Sequence, residues 1–124
     1  MRFYFCHSRA IDYQKDLYAP LRASILNKQH EIIFPHELSD VPFNVRPVLK
    51  TLDIVFAEVS QPSTGMGIEL GWASAAYLPI VCLHRAGTQP SGSLQVISKY
   101  FIEYTDSADL VKKLIDFIGR ISFE

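Results

Sequence analysis

Asp53-Ile54-Val55-Phe56-Ala57-Glu58-Val59, followed by Ser60-Gln61-Pro62-Ser63-Thr64-Gly65-Met66-Gly67-Ile68-Glu69-Leu70-Gly71-Trp72-Ala73, is the stretch on which the fold turns. The first segment is apolar enough to be a strand covered on both faces, the mark of a parallel sheet. A loop holding Pro62 and Gly65 leads on to an alanine-rich helix predicted over Gly67–Tyr77. Further strands are expected at Arg2–Cys6, Glu31–Phe34, Pro79–Leu83 and Lys99–Tyr104. Ile11, Tyr18, Leu21, Ile25 and Leu26 recur at helical spacing, and Pro20 should kink or restart that helix. Ser39–Pro47 reads as a loop, with Pro47 opening a short helix through Leu52. A closing helix begins near Asp106 and carries an apolar face of Leu110, Val111, Leu114, Ile115, Ile118 and Ile121.

Strands alternating with helices imply βαβ units with right-handed crossovers. The expected fold is α/β: a doubly wound, flavodoxin- or Rossmann-like, five-stranded parallel sheet with helices on both faces, with residues 1–124 as one domain. Such sheets hold ligands beyond the carboxyl ends of their strands, where the strand order reverses. His7–Ala10 and Ser60–Met66 are therefore the loops to inspect.

Composition narrows the partner. The chain has 124 residues, 48% hydrophobic and 20% charged, as in an ordinary globule. A formal net charge of −1 offers no basic field to a nucleic acid or an anionic membrane. A small ligand is expected instead. Cys6 and Cys82 lie in separate strand-like runs, which fits a reducing compartment. Met1–Cys6 passes straight into a strand pattern, and no apolar run spans a bilayer, so a cytoplasmic location is expected. His36 with Glu37, and Glu103 with Asp106, lack metal-ligand spacing and read as surface. No metal or other cofactor is expected.

Gly65 and Gly67 let backbone approach a ligand, and the helix start behind them presents N–H groups to an anion. The glycine pattern lacks the lysine of a P-loop and the position of a dinucleotide fingerprint. Glu69 is more informative, as the only formally charged residue between Glu58 and Arg85. Two readings stand. An acid in a helix's first turn is favoured by the macrodipole by about 0.3–1 kcal/mol. Alternatively the carboxylate does chemistry, because its neighbours Met66, Ile68, Leu70 and Trp72 supply no solvated face and burying a carboxylate is costly. Tyr4 is either a core aromatic or a hydroxyl reaching a carboxylate at the sheet edge. His7, Ser8 and Arg9 are either solvated loop residues or, through hydroxyl and guanidinium, a phosphate grip.

Tyr4-Phe5-Cys6-His7-Ser8, Asp53–Val59, Ser60-Gln61-Pro62-Ser63 and Gly65-Met66-Gly67-Ile68-Glu69-Leu70-Gly71 together resemble the nucleoside 2-deoxyribosyltransferase superfamily. The branch most similar is that of the 2'-deoxynucleoside 5'-phosphate N-hydrolases, within nucleotide metabolism. The resemblance implies that Glu69 attacks the anomeric carbon and forms a glycosyl-enzyme intermediate, resolved by water in a hydrolase or by a second base in a transferase. It implies that Tyr4 orients Glu69, and that Ser8 and Ser63 hold the sugar's 5' end or its phosphate. It also implies homodimers with shared active sites, to which Ser93 of a neighbouring subunit contributes.

Relatives acting on free nucleosides carry an aspartate where this chain has Ser63. Two like charges at about 4 Å cost on the order of 4 kcal/mol near a surface, so a neutral serine favours a monophosphate. The chain departs from the family at two positions. The family's base-side acid falls on Val45 beside Asn44, unless a gap brings Asp40 or Asn44 into play, and His7 replaces a preferred glycine. The expected activity is hydrolysis of the base–sugar bond of a (deoxy)nucleoside monophosphate. The alternatives are base exchange by a deoxyribosyltransferase and a catalytically weak nucleotide-binding module.

Overall fold

The computed structural model describes residues 1–121, so the last three residues of the expected 1–124 unit lie outside it. Strand β1 (Arg2–His7) starts the chain. A single π-helical turn (Gln14–Tyr18) runs into α1 (Ala19–Arg22), then α2 (Ile25–Gln29) and β2 (Glu31–Ile33). A long loop and a 3₁₀ turn (Arg46–Thr51) lead to β3 (Ile54–Glu58), α3 (Thr64–Ala75) and β4 (Ile80–Arg85). A second 3₁₀ turn (Gly92–Val96), β5 (Tyr100–Tyr104) and α4 (Ser107–Arg120) complete the order.

The five strands form one parallel sheet in the order β2-β1-β3-β4-β5. The chain winds outward from β1 to β2, then crosses back to place β3 on the other side of β1. That reversal opens a crevice at the carboxyl ends of β1 and β3, the switch point of a doubly wound sheet. Strand alternation sorts the core into two halves. Phe3, Phe5, Ile54 and Phe56 pack with Leu17, Leu21, Leu26, Leu110 and Leu114, so α1, α2 and α4 cover one face. Tyr4, Cys6, Val55 and Ala57 pack with Val45, Leu52, Met66, Leu70 and Ala73, so α3 and the first 3₁₀ turn cover the other. Every residue of β3 is buried, as expected of a strand covered on both sides. The closing helix starts where its cap requires, with the Asp106 carboxylate accepting from the Asp109 amide at 2.8 Å.

Two helix boundaries differ from the sequence reading. Pro20 stands in the first turn of α1, where the π turn gives way to a new helix as expected and its missing N–H goes unmissed, and a further break falls at Ala23–Ser24. More consequentially, α3 begins at Thr64 rather than Gly67, because Ser63 caps it with a long bond from the Met66 amide to its hydroxyl at 3.4 Å. Glu69 therefore lies in the second turn, beyond the reach of the terminal dipole. The macrodipole account of this acid fails.

Candidate active site

Tyr4 and Glu69 meet across the front of the sheet. Tyr4 is fully buried on β1, on the face that α3 covers, and α3 aims Glu69 down at it. The Tyr4 hydroxyl donates to Glu69 Oε2 at 2.5 Å. Burial raises the Glu69 carboxyl to about 7, against the partial opposing effect of the tyrosine's hydrogen bond. Burial, and then the neighbouring carboxylate, raise the Tyr4 hydroxyl far above its ordinary range, so it is a donor at any physiological pH. Oε2 is thus occupied and Oε1 remains for chemistry.

Glu69 opens into a cavity of about 340 Å³, within the size range of small-ligand sites. The end of β1 contributes His7 to it, and the loops after β1 and β2 contribute Arg9, Pro35, His36, Pro42 and Phe43. Helix α3 and its cap contribute Ser63, Gly65, Met66, Ile68, Glu69 and Trp72. Phe43 stacks on Tyr4 with ring centres 5.8 Å apart, and the Arg46 guanidinium lies 4.8 Å over the Trp72 ring. Carbon, aromatic and carboxylate surfaces share one cleft, with a helix start at one end.

The helix start offers fewer free amides than the sequence suggested. The Gly67 amide is committed to the Ser63 carbonyl at 3.0 Å, and the Met66 amide to the Ser63 hydroxyl. Among the described residues, the amides of Thr64 and Gly65 are left for a ligand, with the remaining capacity of the Ser63 hydroxyl. A Cβ placed on Gly65 would meet nothing within 4 Å, so this end is open.

Other expected site residues are placed differently. His7 is not a solvated loop residue: it ends β1 and is buried, and its ring points to the back of the sheet. Its Nδ1–H donates to the Ser8 carbonyl at 2.9 Å, while Nε2 accepts from the Tyr18 hydroxyl at 2.6 Å. Burial lowers the imidazole to about 4, and neither ring nitrogen is free for a ligand. Ser8 is buried and its hydroxyl accepts from the Ala10 amide at 3.0 Å, away from the cavity wall. Arg9 borders the cavity but pairs with Asp40 at 3.3 Å. Gly67 and Ser93 line a second, more apolar cavity of about 490 Å³ on the far side of Ser63 and Met66, so Ser93 does not reach Glu69 within one chain.

At the position of the family's base-side acid, Val45 is buried in the front core. Asn44 Oδ1 accepts from the Arg46 amide and from Arg46 Nε at 3.1 and 3.3 Å, and Asn44 does not line the cavity. His36, read as surface, borders the cavity, and its Nδ1 is buried without a partner among the described residues. Its signal was its place after β2, whose carboxyl end adjoins β1.

The fold is shared with the CMP N-glycosidase of Clostridium botulinum, on which the structure superposes with a TM-score of 0.66, at 23% identity, covering 93% of this chain and 99% of that one. Among curated proteins, the chain is similar to the 5-hydroxymethyl-dUMP N-hydrolase of Mus musculus, 57% identical over 37 residues, or 30% of this chain and 21% of that protein. It is also similar to proteins provisionally named 2'-deoxynucleoside 5'-phosphate N-hydrolase 1. That of Syntrophotalea carbinolica is 40% identical over 48 residues (39% of this chain, 34% of the relative). That of Methanosarcina mazei is 34% identical over 77 residues (60% and 48%). The matches thus span about half the length of these relatives or less. No family model matches the chain. The likeness to nucleotide N-hydrolases read from the motifs is found again among the curated proteins. No helix among the described residues is long and apolar enough to cross a membrane.

Proposed function

We propose that the chain is an N-glycosidase that hydrolyses the base–sugar bond of a (deoxy)nucleoside 5'-monophosphate. The observation that carries this reading is the Tyr4–Glu69 pair, a tyrosine-oriented carboxylate facing a ligand-sized cleft. Glu69 Oε1 attacks C1' of the sugar, the C1'–N bond breaks, and the departing base takes up a proton from solvent. Water then attacks C1' and gives up a proton to solvent as the C1'–O bond to Glu69 breaks, which frees the carboxylate and leaves the sugar phosphate with net retention. The Tyr4 hydrogen bond keeps the carboxylate in one orientation throughout. The relatives support the substrate class, since their names specify 2'-deoxynucleoside 5'-phosphates, 5-hydroxymethyl-dUMP and CMP, all nucleoside monophosphates. Ser63 and the Thr64 and Gly65 amides would hold the phosphate through charge-assisted bonds worth roughly 1.5–3 kcal/mol each. Incubation with the common nucleosides and monophosphates, followed by chromatography, should release free base from the monophosphates. No release from any of them would end the reading.

Added free base separates hydrolase from transferase, because exchange would yield a new nucleotide. One observation favours the weak binding module: apolar Val45 stands where the resemblance places an acid, and among the described residues no carboxylate besides Glu69 lines the cleft. A positioned acid or base contributes typically 10²–10⁴-fold, so that reading expects monophosphate binding without turnover. We further propose a homodimer in a reducing, cytoplasmic setting, in which Ser93 of each subunit completes its partner's site. Both buried thiols, Cys6 and Cys82, are free. Sedimentation giving only a 14.1 kDa species would remove the shared site.

A further inference from the structure

Glu58 closes β3 on the face of the sheet away from Glu69, and the glycosyl chemistry above does not use it. It is 1% exposed. Among the described residues it has no ion pair, since Arg85 pairs instead with Asp16 at 2.9 Å. A carboxylate so placed is costly unless donors meet it, and an apolar side chain would fill the space more cheaply. Its donors are specific. Oε1 accepts from the Ser60 amide at 2.7 Å, and Oε2 accepts a short bond from the Tyr104 hydroxyl. The Ser60 hydroxyl in turn accepts from the Arg85 amide at 2.8 Å. The turn leaving β3 is sewn down at its first step, three residues before the cap that presents the cleft's free amides.

The neighbouring strand repeats the device. His7 pairs in register with Glu58, points to the same back face, is bonded to the Tyr18 hydroxyl and holds the Ser8 carbonyl. Each loop at the switch point is tied from behind by the last residue of its strand, and each tie is backed by a tyrosine.

We infer that Glu58 is a positioning residue for the anion-binding end of the cleft: with Tyr104 behind it, its carboxylate sets the Ser60–Ser63 turn, and so the Ser63 hydroxyl and the Thr64 and Gly65 amides. The identity of the anion as a substrate phosphate rests on the function proposed above. What a carboxylate supplies here, and a core leucine would not, is a directional bond to the Ser60 amide.

The test compares the parent, the double variant Glu58→Met with Tyr104→Phe, and the conservative Glu58→Gln. The double variant should raise KM for a monophosphate about tenfold, as loss of one charged hydrogen bond would. Its kcat, and kcat/KM for the nucleoside, should stay within about threefold. Glu58→Gln keeps an acceptor for Ser60 and should restore KM to within about threefold of the parent. A folded double variant with unchanged KM, or one that loses kcat at constant KM, overturns the inference. Should it not fold, Tyr104→Phe alone should raise KM about threefold and speed amide exchange at Ser60 while leaving Phe56 unchanged; no change in either overturns it. If the parent turns over nothing, the functional reading falls by itself. Inorganic phosphate titrated against the Thr64 and Gly65 amide resonances then decides: about tenfold weaker binding in the double variant sustains the inference, and equal or absent binding overturns it.

Discussion

The sheet carries two glutamate–tyrosine pairs, one on each face, and their chemistry is set by what surrounds them. On the front, Glu69 has one donor, Tyr4, and faces a cleft. On the back, Glu58 has two donors, the Tyr104 hydroxyl and the Ser60 amide, and faces core. A carboxylate with one of its oxygens unclaimed in a half-buried cleft is raised towards neutrality and keeps a nucleophilic lone pair. One with both oxygens claimed is a structural joint. The same two residue types thus yield a carboxylate open to a cleft and a fixed one, and the difference lies in hydrogen-bond saturation and access.

Substitutions can break this contrast. The largest effect should come from Glu69→Gln, which removes the nucleophile while keeping its shape, and should lower kcat/KM by at least about a thousandfold. Its melting temperature at pH 8 should equal or exceed the parent's. Because burial holds the folded pKa at about 7, above a carboxyl's ordinary value, ionised Glu69 costs stability as pH rises between them, and the variant escapes that cost. Activity within tenfold of the parent would make the front pair structural too.

Ser63→Asp comes next. A carboxylate beside the anion end should lower the ratio of kcat/KM for monophosphate over nucleoside by about a hundredfold or more. An unchanged ratio would mean that Ser63 does not face a phosphate.

Tyr4→Phe should cost about tenfold in kcat/KM at neutral pH. Parent kcat/KM should rise about tenfold per pH unit below 7 and level above it, because only ionised Glu69 attacks. Removing the tyrosine's hydrogen bond, which holds the carboxyl down, should move that midpoint upward. A pH profile that does not move would separate Tyr4 from the nucleophile.

The smallest effect on nucleoside turnover, within about threefold, should come from Glu58→Ala. That change should nevertheless destabilise the fold by about 2–4 kcal/mol, since it strands the Ser60 amide and the Tyr104 hydroxyl. Thermal melts beside nucleoside assays give both numbers. Full stability with lost nucleoside activity would reverse the roles assigned to the two acids.

Much of this was legible in the residues. Runs such as Ile54–Glu58, buried on both sides, and the alternation of strands with helices dictate a parallel sheet, because only such a sheet hides that much apolar backbone. The isolation of Glu69 among apolar neighbours singled it out, because a carboxylate is expensive to bury without purpose. The start of α3 was less legible: Ser63 serves as cap and as cleft hydroxyl together, and the glycines after it mask the first turn. His36 and Glu58 look like ordinary polar residues in sequence. Composition and spacing by themselves determined the fold and the two loops that meet at its switch point, and left Glu69 between them with two readings. Only the tertiary structure decided which face each side chain takes, that His7 looks backwards, that Ser93 lies across a second cavity, and that Glu58 is saturated while Glu69 is not. The physical reason is that periodicity is local, whereas hydrogen-bond saturation depends on partners such as Tyr104, 46 residues away in the chain, and Tyr4, 65 residues away.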